Sequence, residues 1–93
     1  MFSEMIKAAE QGDDKAQFYL GMRYYKGEGV LEDIVEAYKW FLLAGFYGTA
    51  QASDMRGRLV AKMTPEQIIE AQERVKQWRL ERRGKEQSHP AMK

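Results

Sequence analysis

Apolar residues recur along this chain at three- and four-residue spacing, interrupted by glycines and helix-capping residues, and the pattern predicts five helices. The first runs from about Ser3, as its N-cap, to Gln11. Gly12 is placed to take the left-handed conformation that ends a helix. Asp13 then caps a second helix, with Asp14 in its positive first turn, and Ala16, Leu20, Gly21 and Tyr24 form its buried face. That helix stops near Lys26, before Gly27-Glu28-Gly29, a tight turn in which Gly29 is expected to need a left-handed backbone. The third starts at Glu32 or Asp33 and runs to about Phe46, apolar on most sides, so it should sit between neighbours. Gly48 ends it. Thr49 is expected to cap a fourth helix carrying Ala52, Met55, Leu59 and Met63. Thr64-Pro65-Glu66-Gln67 is a capping-box start for a fifth, which presents Ile68, Ala71, Val75 and Trp78 and frays at Gly84. No stretch alternates at period two for long enough to make a strand, which predicts an all-α fold of antiparallel neighbours.

Shifting the sequence by 36 positions places Ala8 on Ala44, Gly12 on Gly48, Ala16 on Ala52 and Gly21 on Gly57. The matching positions are small residues and a helix-ending glycine, as a repeated helical hairpin requires. Ala8-Ala9-Glu10-Gln11-Gly12-Asp13, Ala16-Gln17-Phe18-Tyr19-Leu20-Gly21, Tyr24, Gly27-Glu28-Gly29-Val30, Asp33, Ala37 and Trp40 carry this period. Together they resemble a Sel-1-like repeat, a branch of the tetratricopeptide-like solenoids. The resemblance spans one complete repeat, about 13–48, with partial repeats on either side. It implies a short α-solenoid of antiparallel helical hairpins over residues 1–84, closed by a C-terminal capping helix at 64–83; the remaining residues 85–93, with Pro90, read from their own composition as a disordered tail. The second copy departs from the pattern: Asp54, Met55 and Arg56 stand where the first has Phe18, Tyr19 and Leu20, and the Gly-x-Gly-Val turn is missing. Such endings are similar to those that close arrays in bacterial members of the family.

The resemblance also implies a role, because Sel-1-like proteins are adaptors that assemble protein complexes, and solenoids bind along a concave face. Lys15, Phe18, Met22 and Tyr25 form a second stripe on the second helix. By similarity to the tetratricopeptide arrangement it should line that face, with Lys26 at its end and Gln51, Asp54 and Arg58 added by the next repeat. The stripe has three readings: a groove for a protein or peptide partner, the interface of a homodimer, or internal core. Fewer than two repeats stabilise each other weakly, which favours a partner that completes the stack.

Composition narrows the alternatives. The 93 residues hold 15 Lys and Arg against 14 Asp and Glu, a balance that gives no field to attract nucleic acid or anionic lipid. Cysteine is absent, so thiolate chemistry is excluded and a reducing compartment is tolerated. With no signal-peptide pattern at Met1–Lys7 and no long apolar run, a cytoplasmic protein is expected. The only histidine, His89, lies next to Pro90 in the expected tail, and Ser3, Ser53 and Ser88 have no base at motif spacing. Asp13-Asp14 reads as capping rather than metal ligation. No catalytic, cofactor or metal constellation is expected, and the chain reads as a non-enzyme. Lys76, Arg79, Arg82, Arg83 and Lys85 concentrate positive charge late in the fifth helix, but cations suit a helix C-terminus and no aromatics interleave to stack bases.

Overall fold

A computed structural model describes residues 2–87 as five helices and no strand. These are α1 (Phe2–Glu10), α2 (Asp14–Lys26), α3 (Ile34–Tyr47), α4 (Gln51–Val60) and α5 (Pro65–Gln87). Local signals set most of the boundaries. The Asp13 carboxylate accepts the Ala16 N–H at 3.1 Å. The Asp33 carboxylate accepts the N–H groups of Val35 and Glu36 at 3.0 and 3.1 Å. Thr64 and Gln67 bond reciprocally at 3.0 and 3.1 Å, completing the capping box. Gly12 and Gly29 take φ of 98° and 80°, a region costly to any residue with a Cβ.

Three expectations about boundaries fail. Ser3 lies inside α1, which begins at Phe2. Thr49 does not cap α4: its hydroxyl donates to the Asp14 carboxylate at 2.7 Å, and α4 starts after Ala50 without a side-chain cap. A cap would have to accept a backbone N–H of α4, and the Thr49 hydroxyl, one residue before the flanking Ala50, is turned to a carboxylate of α2 instead. Finally, α5 passes through Gly84 and ends at Gln87, beyond the expected fraying point. One interior glycine costs a helix only about 1 kcal/mol, and the Arg, Lys, Glu and Gln residues around it are good helix formers. Residues 85–87 of the expected tail are therefore helical, while 88–93, with His89 and Pro90, lie outside the described residues.

Helix α3 is the centre, as its apolar circumference predicts. It packs on α2, α4 and α5, and buries Val35, Ala37, Tyr38, Trp40, Phe41, Leu43 and Ala44. Phe41 joins Tyr38, Ala52, Leu59, Met63 and Ala71 in one cluster. Trp40 and Leu43 join Ala9 and Leu20 in the other, with Val75 and Trp78 of α5 against it. The α1/α2 and α2/α3 pairs are antiparallel. Gly21 makes the closest approach in the second pair, since a Cβ there would lie 2.8 Å from the Phe41 ring. Gln17 is fully buried, and its Nε2 donates to the Ala9 carbonyl at 3.0 Å, fastening α2 to the end of α1.

The fifth helix corrects the expectation of antiparallel neighbours throughout. Arg74 meets Glu36, Trp78 meets Trp40, and Arg79 lies over Phe46, so advancing along α5 means advancing along α3. The two run in the same sense, and α5 contacts α4 little although it follows it in sequence. At its far end Arg82 donates to the carbonyls of Glu10 and Gln11 at 3.1 and 2.8 Å, satisfying the last turn of α1.

Candidate protein-binding groove

The entry turns of α2 and α4 lie side by side, because the Thr49 hydroxyl holds the Asp14 carboxylate. Between them opens a cleft of about 380 Å³ lined by Asp14, Lys15, Phe18, Tyr19, Gly48, Thr49, Ala50 and Gln51. Of the eight site residues expected from the sequence, Lys15, Phe18 and Gln51 meet here. Met22, Tyr25, Lys26, Asp54 and Arg58 do not line it.

Those eight residues fall into two physical groups. Lys15, Lys26, Gln51, Asp54 and Arg58 are exposed. Phe18, Met22 and Tyr25 are half-buried and pack against the Phe41 cluster. The Phe18 ring centroid stands 5.5 Å from that of Phe41 at a tilt of 55°, so one side of Phe18 is core and the other faces the cleft. Tyr25 already has a neighbour: its hydroxyl accepts a hydrogen bond from Lys62 Nζ at 2.8 Å, with that ammonium 5.3 Å from the ring centroid. The stripe is thus partly internal packing, and of its four residues Lys15 and Phe18 line the cleft.

Tyr19, a cleft residue that stripe reasoning missed, is 58% exposed, with its ring edge-on to Phe18 at 6.1 Å. It lay in the repeat motif but outside both stripes, and an exposed tyrosine leaves no periodic trace. Aromatic surface at one wall, Gln51 at the other and a free-reaching ammonium at Lys15 suit an amphipathic segment of another protein. Tyrosine supplies contact area with little side-chain freedom to lose.

Several titratable groups outside the cleft are engaged in structure. The Tyr24 phenol is pushed above its ordinary value, first by burial and then by the carboxylates of Glu36 and Asp33. Arg74 is bound at 2.7 Å by Glu36 and 2.6 Å by Glu70, and these carboxylates raise its pKa although burial, the largest influence, opposes them. Arg82, in the basic cluster of α5, caps α1. Among the described residues no three His, Cys, Asp or Glu side chains gather where they could hold a metal, and no helix is long and apolar enough to cross a membrane.

Residues 5–13 and 14–45 match the family model described as Sel1 repeat. No curated protein matches the chain.

Proposed function

Residues 5–45 are Sel1 repeats, modules that generally mediate protein–protein interaction, and from that premise we propose that this protein is a non-catalytic adaptor holding a segment of a partner protein in the α2/α4 cleft. The observation that carries the reading is the meeting of Lys15, Phe18, Tyr19 and Gln51 around one opening on the side where the first helices of successive repeats lie. Lys26, Asp54 and Arg58 are exposed and lie outside the cleft lining, and in this proposal they are further contacts for the partner. A cytoplasmic setting belongs to this proposal and is supported by the absence of cysteine.

The runner-up, a self-assembling subunit that spends its apolar stripe on a dimer, is disfavoured by the packing of Phe18, Met22 and Tyr25 on their own core. Combining Lys15→Glu with Tyr19→Ala alters two exposed residues, so melting should stay unchanged while proteins that co-purify with the wild type are lost. Retention of all of them by a folded variant would refute the groove. Mass measured across a concentration series separates the readings further: a dimer dissolved by the same two changes would favour self-assembly.

A further inference from the structure

A second cleft, of about 390 Å³, opens between α3, α4 and α5; its walls include Leu42, Phe46 and Val75, and its charges are Arg56 and Arg79. It continues along α5 past Lys76 to Leu80. No acidic side chain lines either part.

The 36-residue shift shows what is unusual about these arginines. Leu20 falls on Arg56 and Leu43 on Arg79. In the first repeat both leucines are fully buried in the Trp40 cluster. In the second copy both apolar contact positions carry a guanidinium, and the two line one opening. Arg56 Nε is buried with no hydrogen-bond partner among the described residues. The Arg56 guanidinium lies against Gly45 of α3, where a Cβ would be 4.0 Å from the guanidinium carbon, an ordinary contact distance. The Arg79 guanidinium stacks over Phe46 at 4.3 Å from the ring centroid. One turn earlier on α5, by contrast, Arg74 is bound by two carboxylates.

A buried donor without an acceptor is costly, and two cations beside each other raise that cost. A carboxylate from outside offsets the repulsion between the two cations, because its paired oxygens match the guanidinium fork. Beside it, Leu42, Val75 and Leu80 offer apolar surface. We propose that this cleft is a second docking site, which takes an acidic–apolar segment of a partner protein by seating a carboxylate between Arg56 and Arg79 and an aliphatic side chain against Leu42 and Val75.

The probe is a blocked peptide of alternating glutamates and leucines, compared with a twin in which glutamine replaces every glutamate. Binding is followed through the Nε–H signals of arginine side chains in nuclear magnetic resonance spectra. The glutamate peptide should shift the Arg56 and Arg79 signals, and added salt should weaken it. The twin should bind at least about tenfold more weakly. Arg79→Gln, at an exposed position, should weaken the glutamate peptide by about tenfold while melting is unchanged. Arg56→Leu restores the residue of the first repeat and should also weaken binding, without loss of melting temperature. The double change at Lys15 and Tyr19 should leave this binding intact, which separates the site from the α2/α4 groove. Equal binding of the two peptides, or no shift at either arginine, overturns the proposal. So does loss of binding in the groove variant but not in Arg79→Gln. A concentration-dependent dimer of the free protein dissolved by Arg79→Gln would overturn it in favour of a second copy of the chain. Arg79→Gln alone decides the matter if Arg56→Leu does not fold.

Discussion

Gly21 and Gly57 occupy equivalent places in a repeated pattern and have opposite surroundings. A Cβ on Gly21 would meet the Phe41 ring at 2.8 Å, whereas one on Gly57 would meet nothing within 4 Å. The difference lies in the facing helix. In the first repeat α3 lies against α2 and presses Phe41 onto the glycine. In the second copy the position of Phe41 is taken by the exposed Gln77, and α5 leaves α4 to lie along α3. A repeat in sequence is therefore closed packing at the glycine in one copy and open space at the glycine in the other.

The largest test of this contrast removes a buried side chain from the closed copy. Leu20→Ala should cost about 2–5 kcal/mol, read from denaturant unfolding, because Leu20 is fully buried between helices that cannot collapse freely. A cost below about 1 kcal/mol would show that the closed copy is as loosely packed as the open one.

A smaller effect should change sign between the copies. Gly21→Ala forces a methyl into the Phe41 ring and should destabilise by about 1–3 kcal/mol. Gly57→Ala, in the interior of α4 with space around it, should stabilise by about 0.5–1 kcal/mol through helix propensity alone. Equal effects at the two sites would abolish the contrast.

The smallest test uses pH. Tyr24 falls on Val60 under the same shift, and only the first copy carries a phenol beside Glu36 and Asp33. Burial and those carboxylates raise its pKa above 10.0, so the folded state holds its proton more tightly than the unfolded chain. That contribution is present below the unfolded value and is lost as pH rises through the folded one. Wild-type stability should consequently fall above about pH 10, and Tyr24→Phe should make the fall shallower. An unchanged slope in the variant would place the loss on other tyrosines.

Much of the fold was legible because it is encoded over three or four residues. Asp13, Asp33 and the Thr64–Gln67 pair act on N–H groups of the same turn, and the apolar circumference of α3 announces its central place. What escaped depends on residues far apart in the chain. Thr49 could have capped its own helix, but its hydroxyl is turned to Asp14, 35 positions away. Gln17 reads as a surface residue until the carbonyl of Ala9 is seen within reach. The direction of α5 is fixed by Trp40, Tyr47 and Glu36, none of which its own pattern contains. Of the residues expected on one face, Lys15, Phe18 and Gln51 line a common cleft, while the partial burial of Met22 and Tyr25 follows from packing on the Phe41 cluster, which their own spacing does not contain.

The bonds from Arg82 to the carbonyls of Glu10 and Gln11 have a consequence for the order of folding. Helix α1 has its final turn satisfied by a residue translated 72 positions after Glu10. Trp40 and Leu43 likewise wait for Val75 and Trp78 before their cluster is covered. Helices form in microseconds or less, while synthesis proceeds at roughly 5–20 residues per second. For several seconds the nascent chain therefore displays a tryptophan-bearing surface of α3 to whatever surrounds it, and α5 is the element that withdraws it from chaperones and from other nascent chains.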